Sequence, residues 1–302
     1  MDDMVKELCS QRNYIRFELG LEELRGKDYQ RECLRRANVI YRSIFEPEDR
    51  VIFIHRTSYT RDEREKSIPR LKRFFRTRLQ QMQRRILPYE FDESDDEFYT
   101  IEWAVEAKAV EIRQSYVLEC IANSDFNRKP TSDGRIYLYN QEKNILLHMY
   151  DDRGCDVYSS EIETLLPLFH LHRQWILDYN RYQIDNLFGE GLAGIFETDE
   201  EQMLRVELND QLVAESRINL SRTNTCHISH HFEIPIENAD RFEQEISFAS
   251  FSLRRSSTTN NHVSFVAVKT QALALIGYQT HLMSMYGKKY GRYIGWTYEQ
   301  AF

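Results

Sequence analysis

Three short extended runs, separated by two turns, constrain the fold of this chain more than any other part of its sequence. The runs cover residues 135–139, 144–150 and 155–158. The turns, at 140–143 and 151–154, are rich in asparagine, aspartate and glycine, which are common turn formers. Strands joined by such short turns pair with their neighbours along the chain. The sequence therefore predicts an antiparallel β-meander here.

Length and composition predict two domains. The chain has 302 residues, more than one domain usually contains. Hydrophobic residues make up 41% and aromatic residues 13%, enough to build packed cores. Glycine is densest between Gly189 and Gly194, which we interpret as the linker. We expect a first domain of mixed α+β structure over 1–190, containing the meander, and a second domain over 198–302.

The second domain shows an order of elements that is typical of one fold. It begins with a helix whose capping box starts at Thr198 and whose apolar residues are Leu204, Leu208 and Leu212. Patterns between 226 and 298 then predict strand, helix, strand, strand, helix and strand. This βαββαβ order is that of the ferredoxin-like fold, a four-stranded antiparallel sheet backed by two helices. The expected fold class is therefore α+β throughout.

Charge and cysteine usage favour a cytoplasmic protein. The formal net charge of −8 argues against a dedicated nucleic-acid binder. The five cysteines are scattered and never form a Cys-x-x-Cys pair, which fits reduced thiols in the cytosol. The N-terminus lacks an apolar run of signal-peptide length, and no segment approaches the roughly 18–20 apolar residues that span a bilayer. We therefore expect no membrane contact.

Residues 61–85 form the most basic segment, with ten Lys or Arg against three acids. Apolar residues such as Leu71, Phe74 and Leu79 recur at helical spacing, which predicts a basic amphipathic helix. Such a helix could bind nucleic acid, and this is the segment through which the chain would do so. We favour a packed helix with a solvated basic face, because the acidic cluster over 90–97 follows at once and could neutralise it.

The second turn of the meander is the best candidate for chemistry. Asp151 and Asp152 place two carboxylates beside the guanidinium of Arg153, and paired carboxylates can hold a metal ion or act as acid and base. Aspartate and glycine are also ordinary turn formers, and Arg153 could simply pair with either acid. We favour a structural turn, followed by a recognition surface and then by catalysis.

The histidine-rich run at 227–231 resembles a metal cluster, but strand geometry argues against one. Alternation puts His227 and His231 on one face of a strand, about 13 Å apart at the usual rise per residue. Two ligands at that separation do not share one zinc ion. We therefore predict no metal, no cofactor and no catalytic residue for this chain.

Five spaced motifs in the first domain begin at Arg16, Phe45, Asn123, Tyr150 and Trp175. The motif at Tyr150 contains the Asp-Asp-Arg turn, and the motif at Trp175 continues through Asp178 and Arg181. Over about residues 14–188 the chain resembles an uncharacterised bacterial domain family that is common in Bacilli. The resemblance implies relatives of unknown function and supplies no chemistry.

A second set of motifs lies over about residues 198–298. It includes His230-His-Phe-Glu-Ile-Pro235 and Tyr290-Gly-Arg-Tyr-Ile-Gly-Trp296. These resemble the regulator of ribonuclease E activity B family, in which the last motif usually has an aspartate where this chain has Ile294. The resemblance implies a ferredoxin-like fold and a non-catalytic, protein-binding role.

Together, these features predict a non-enzymatic, cytoplasmic bacterial protein that binds and regulates another protein, of the nuclease-inhibitor or toxin-immunity type. An acidic surface suits this role because complementary charge speeds association with a basic partner. The alternative is a metal-dependent enzyme or nucleic-acid-processing protein centred on the Asp-Asp-Arg turn. The candidate recognition residues are Asp151, Asp152, Arg153, Trp175, Asp178, Arg181, Tyr293 and Trp296.

Overall fold

Helices and antiparallel sheets make up both halves of the chain in its computed structural model, which confirms the α+β class. The chain divides into two units, Met1–His172 and Arg173–Phe302. No helix in the part of the chain that the structure describes is long and apolar enough to cross a membrane. The described residues are 3–11, 13–21, 23–62, 70–79, 81–92, 94–126, 128–215, 225–249, 251–259, 261–272 and 276–300.

The first unit is built on a sheet of seven antiparallel strands. These are β1 Tyr14–Glu18, β2 Arg50–Thr60, β3 Gln83–Pro88, β4 Phe98–Lys108, β5 Arg135–Asn140, β6 Ile145–Met149 and β7 Gly154–Ser159. They lie in the order β1-β7-β6-β5-β2-β4-β3. Strands β5, β6 and β7 pair in sequence, with Leu147 opposite both Leu138 and Val157, so the predicted meander is confirmed.

Within the described residues of this unit, four helices accompany the sheet: α1 Met4–Ser10, α2 Gly26–Ile44, α3 Gln114–Ala122 and α4 Ile162–His172. Helices α2 and α4 pack on the strands at the meander end of the sheet. Helix α4 contacts β1 and β7, and helix α2 contacts β6. Helix α1 buries Val5 and Leu8 against Ile54, Tyr137 and Leu146. Side chains alternate between the two faces of a strand, and these three residues point away from the main core of the unit. Helix α1 therefore lies on the sheet face opposite that core.

The predicted basic helix over 61–85 is wrong in the part that the structure describes. A single 3-10 turn covers Leu71–Phe74, and the end of the segment belongs to β3, which pairs with β4. Phe74 and Phe75 are both buried, and both rings pack against Phe53 of β2. Tertiary packing and strand pairing have overridden the local helical spacing. Residues 63–69 and 80 lie outside the described residues.

The second unit is built on four antiparallel strands in the order β11-β8-β10-β9. Its elements are α5 Asp178–Phe188, α6 Asp199–Glu215, β8 Thr225–Pro235, α7 Ala239–Ser247, β9 Ser252–Thr258, β10 His262–Ala272, α8 Ile276–Tyr290 and β11 Arg292–Gln300. Phe232 and Phe265 of the sheet pack with Phe242 of α7 and Tyr286 of α8 in one core. Two helices therefore cover one sheet face.

The glycine-rich segment that we interpreted as a linker lies inside the second unit. Gly189 ends α5 in the left-handed conformation, with φ of 67°. Leu192 is fully buried, and its N–H donates a 3.1 Å hydrogen bond to Asp185. Lys289 donates a hydrogen bond to the carbonyl of Gly191. The glycines therefore allow tight, packed turns here, because they tolerate positive φ without strain.

Candidate functional site

The Asp-Asp-Arg turn is packed into the first unit and held by its own side chains. Asp151 and Asp152 are each 5% exposed. The backbone N–H and the Nε of Arg153 each donate a 2.7 Å hydrogen bond to Asp151. The carbonyl of Arg153 accepts a 2.8 Å hydrogen bond from the backbone N–H of Leu19. Asp151 therefore acts as a turn-stabilising acceptor, as the structural interpretation expects.

The second carboxylate of the turn is also engaged. The hydroxyl of Tyr29 on α2 donates a 2.5 Å hydrogen bond to Asp152 Oδ2. Burial and this bond to a carboxylate raise the pKa of Tyr29 well above its ordinary value, so the phenol stays protonated and remains the donor. The side chain of Arg153 is 73% exposed. The turn thus offers solvent a guanidinium, while both carboxylates bind neighbouring groups.

A row of polar side chains crosses the face of the first sheet that carries α1. Arg16 on β1 lies opposite Asp156 on β7 and donates two 2.7 Å hydrogen bonds to its carboxylate. Asp156 in turn lies opposite His148 on β6. The His148 ring stacks on Tyr137 of β5, with 4.2 Å between ring centroids.

The row continues across the remaining strands. Arg56 on β2 lies opposite Glu102 on β4 and donates hydrogen bonds of 2.9 and 2.7 Å to one carboxylate oxygen. Arg85 on β3 lies opposite Glu102 and donates a 2.8 Å bond to the other oxygen. We call these residues the polar belt: Arg16, Asp156, His148, Tyr137, Arg56, Glu102 and Arg85.

A cavity of about 670 Å³ lies on the same face and is lined in part by Arg56, Tyr137 and His148 of the belt. Burial lowers the pKa of His148 to about 4 and raises the pKa of Cys9, which also lines the cavity, to about 12. At neutral pH the imidazole and the thiol are therefore both uncharged. His148 and Cys9 therefore give the cavity neither an imidazolium nor a thiolate, while Arg56 brings a paired charge to its lining.

A serine–histidine pair in the first unit has the spacing of a nucleophile and its base. Ser43 Oγ lies 2.8 Å from His172 Nε2. However, Ser43 Oγ also donates a 3.0 Å hydrogen bond to the carbonyl of Val39, one helical turn earlier. Because a hydroxyl has one proton, the imidazole must donate to the serine oxygen. The pair is a structural contact between α2 and α4.

Asp178 and Arg181, which the sequence places in one motif with Trp175, form a buried ion pair in the second unit. Arg181 is completely buried, and its Nε lies 3.3 Å from Asp178 Oδ1. Lys269 Nζ donates a 2.8 Å hydrogen bond to the other oxygen of Asp178. Arg181 also donates a hydrogen bond to the carbonyl of Phe248. Trp175 is 9% exposed. These groups hold α5 against its own unit.

Tyr293 and Trp296 on β11 point toward the interior of the second unit. The Tyr293 hydroxyl lies 2.9 Å from His230 Nδ1, and burial raises the pKa of Tyr293. Trp296 is 4% exposed and its indole N–H donates a 3.0 Å hydrogen bond to Asn209. Of the eight predicted recognition residues, Arg153 is thus the one with an exposed side chain.

Helix α6 places Asn209 inward and both apolar and acidic side chains outward. Asn209, 6% exposed, accepts from Trp296 and donates a 2.7 Å hydrogen bond to Thr280. Met203 and Leu204 are 73% and 69% exposed. The predicted helix is present, and its Leu204 and Leu208 are exposed, because the hydrogen bonds of Asn209 fix the rotation of the helix; the side chain of Leu212 lies outside the described residues. We define the outer face of α6 as Glu200, Met203, Leu204, Val206, Glu207 and Leu208.

An open pocket of about 480 Å³ adjoins the start of α6. Its polar side is Glu197, which accepts 2.9 and 3.0 Å hydrogen bonds from Arg205 and lies 2.7 Å from His281 Nδ1. Although burial works to raise it, these two neighbours lower the pKa of Glu197 to about 2. Phe196 and Met285 form part of the apolar side. Neither this pocket nor the exposed side of α6 was predicted from the sequence.

Comparison with known proteins finds relatives for the first part of the chain. Residues 9–180 match the model of a family described as "Domain of unknown function (DUF3885)". The chain is also 28% identical over 170 residues to an uncharacterized protein, YnaE, of Bacillus subtilis (strain 168). That alignment covers 52% of this chain and 79% of the relative. The family match includes the turn at 151–154 and all of the polar belt, whereas α6 lies outside it.

Proposed function

The chain belongs to the DUF3885 domain family, and we propose that it is a non-enzymatic protein of the bacterial cytoplasm that binds and regulates another protein. The observation that carries this proposal is the outer face of α6. Met203 and Leu204 lie there with large exposed side chains, and Val206 and Leu208 flank them at 44% and 42% exposure. Several large apolar side chains exposed on one side of a helix mark this surface as an interaction site.

Such a face favours binding because a partner would bury its exposed apolar side chains. Full burial of a Met or Leu side chain stabilises a complex by about 1.5–3 kcal/mol. Met203 and Leu204 bury little of that surface in this chain alone. A partner that covered both would therefore gain enough to offset part of the entropy cost of association.

We further propose that the second unit is a ferredoxin-like domain related to the regulator of ribonuclease E activity B family. The strand order β11-β8-β10-β9, with one helix after β8 and one after β10, supports this assignment. In that arrangement the first strand of the fold, β8, lies between the last strand and the third. The family resemblance suggests an inhibitory or immunity role directed at a nuclease, and the net charge of −8 suits a basic target.

The structure gives less support to an enzyme centred on Asp151 and Asp152. Asp151 accepts a hydrogen bond from Arg153, and Asp152 accepts one from Tyr29. These bonds account for the burial of both carboxylates. Nucleic-acid binding through 61–85 likewise loses the continuous basic helix on which it depended. We therefore place both alternatives below protein binding.

Affinity capture from bacterial lysate tests the proposed function. Three tagged forms of the full chain are compared: wild type, Met203→Gln/Leu204→Gln, and Ile236→Gln. The last is the matched control, because Ile236 is 52% exposed in the same unit but is not on α6. We expect a partner that wild type and the control recover equally and that the α6 variant loses. Recovery of no reproducible partner by any form contradicts the proposed function.

A further inference from the structure

We infer that the pocket at the start of α6 binds a small, uncharged heteroaromatic molecule, which donates an N–H hydrogen bond to Nε2 of His281. The pocket is separate from the surface that carries the proposed function, because Gln202 and Arg205 line it from the side of α6 opposite to the outer face. Its lining residues all belong to the second unit, where they come from α5, α6, α8 and the residues just before α6.

His281 has one anchored ring nitrogen and one open one. Nδ1 lies 2.7 Å from Glu197 Oε2, and the side chain is 37% exposed. Nε2 has no hydrogen-bond partner within the described residues and is open to solvent. Because an ionised carboxylate can only accept, the proton of a neutral imidazole lies on Nδ1, and Nε2 is an acceptor. A ligand that bonds to His281 must therefore bring a donor.

Glu197 holds the imidazole in this orientation. Its side chain is 4% exposed and accepts hydrogen bonds of 2.9 and 3.0 Å from Arg205. Arg205 also donates a 3.1 Å hydrogen bond to the carbonyl of Gly277 in α8, which fixes the guanidinium. Burial works to raise the pKa of Glu197, but His281 and Arg205 lower it to about 2, so the carboxylate stays ionised at neutral pH. Because the acceptor is oriented before binding, little side-chain entropy is lost when a ligand enters.

The charges around the pocket are paired, which favours an uncharged ligand. Glu197 and Arg205 neutralise each other inside the pocket. Next to it, Lys288 and Glu201 form a second pair, with 2.7 Å between nitrogen and oxygen. A charged ligand would lose part of its hydration here and gain no unpaired counter-charge in the described lining, and such a transfer is costly. Phosphates, carboxylates and amines are therefore disfavoured.

The apolar side of the pocket suits a flat ring. Phe196 is 65% exposed, and its ring makes an edge-to-face contact with Tyr182, with 6.3 Å between centroids. Tyr182 makes a similar contact with His281 at 6.1 Å. Aromatic rings prefer stacked or edge-to-face neighbours, so the exposed surface of Phe196 favours a planar ring. The volume of about 480 Å³ lies within the range of about 300–1,000 Å³ that is usual for small-molecule sites.

Indole and 1-methylindole test the inference as a matched pair of probes. Both are uncharged and planar, and they differ in the N–H donor, which the methyl group replaces. Saturation-transfer NMR of the full chain gives the dissociation constant of each probe. Long-range proton–nitrogen spectra of the nitrogen-15-labelled chain locate the site, because the Nε2 resonance of His281 is identified by its loss in His281→Phe.

We expect indole to bind wild type about two- to tenfold more tightly than 1-methylindole, the range for one hydrogen bond, and to shift the Nε2 resonance of His281. His281→Phe keeps a ring but removes the acceptor, so it should bind both probes equally. Phe196→Ala should weaken both probes by a similar factor and keep the preference for indole. His262→Gln is the control, because His262 is exposed elsewhere in the same unit, and it should change neither constant. Circular dichroism verifies that each variant is folded.

Equal binding of indole and 1-methylindole by wild type overturns the inference, and this comparison needs no variant. A preference for indole that persists in His281→Phe also overturns it, as does a His281 resonance that does not move up to the solubility limit of indole. None of these outcomes bears on capture of a protein partner through the outer face of α6.

Discussion

Arg56 and Glu102 form a buried ion pair across β2 and β4, with Arg56 Nη2 2.7 Å from Glu102 Oε2 and both side chains at most 2% exposed. The pair lies at the centre of the polar belt, and Arg85 shares its carboxylate. Burial of two charges costs free energy that only well-placed hydrogen bonds offset. Loss of one partner should therefore destabilise the first unit more than replacement of both.

We expect Glu102→Gln to destabilise the first unit by about 1–3 kcal/mol, because Arg56 loses its most buried counter-charge and keeps its ion pairs with Asp3 and Glu90. The double variant Arg56→Met/Glu102→Leu should recover most of this loss, since apolar residues of similar size replace both charges. Urea unfolding followed by the fluorescence of Trp103, which is 8% exposed in this unit, measures both changes. A double variant as unstable as the single one would show that the pair is not an isolated electrostatic unit.

Three buried histidines predict how stability depends on pH. Burial lowers the pKa of His55 and of His148 in the first unit to about 4 and that of His230 in the second unit to about 3, from an ordinary value of 6.5. Between these values the unfolded chain binds protons that the folded chain does not. Stability should therefore fall as pH decreases from about 6.5 to about 4, by up to about 1.4 kcal/mol per pH unit for each histidine.

The measurement compares urea unfolding of wild type and His55→Leu at pH 7, 6 and 5. From pH 7 to pH 5 the free energy of unfolding of His55→Leu should fall less than that of wild type, although leucine has no hydrogen-bonding atoms in its side chain. His262→Gln is the control, because His262 is exposed. Parallel pH profiles for wild type and His55→Leu would refute the assignment of this dependence to His55.

The hydrogen bond between Tyr29 and Asp152 tests the interpretation of the turn. Tyr29→Phe and Asp152→Ala should each destabilise the first unit, and a double-mutant cycle should give a coupling of about 1.5–3 kcal/mol for a bond to a charged group. Arg153→Ala should cost less than about 1 kcal/mol, because its side chain is largely exposed. If millimolar Mg²⁺ or Mn²⁺ raises the melting temperature of wild type but not of Asp152→Ala, the enzyme alternative gains over the structural one.

The glycines at 189–194 test whether this segment is packed or a free linker. A Cβ on Gly191 would overlap Asp185 and Arg173, whereas a Cβ on Gly194 would meet nothing within 4 Å. Both glycines have positive φ, so alanine at either position costs about 1–2 kcal/mol of backbone strain. Gly191→Ala should lower the melting temperature of the second unit clearly further than Gly194→Ala. Equal effects of the two substitutions would favour a linker.

Local patterns in the sequence were enough to predict much of the secondary structure. The composition of the two turns located the meander, and the capping box at Thr198 is present, with Glu201 N–H donating a 3.2 Å bond to Thr198 Oγ1. These features depend on residues within a few positions of one another. The order of elements from β8 to β11 followed from the same kind of pattern.

The polar belt could not be predicted in this way. Arg16 and Asp156 are 140 positions apart in the chain and meet only because β1 pairs with β7. A partial signal was present, since Arg56 and Glu102 each interrupt an apolar strand, but alternation alone does not reveal which residues lie opposite each other. The segment 61–85 was assigned wrongly for a related reason. Long-range packing of Phe74 and pairing of β3 with β4 outweighed the helical spacing of its apolar residues.

The central claim is that the outer face of α6 binds another protein, and one measurement tests it most directly. The partner recovered by wild type is purified, and its dissociation constant is measured for wild type, Met203→Gln/Leu204→Gln and Ile236→Gln. We predict that the constant rises at least about tenfold for the α6 variant, as expected when two apolar contacts worth more than about 1.4 kcal/mol in total are lost. It should stay unchanged for Ile236→Gln. An α6 variant that binds as tightly as wild type would contradict the claim.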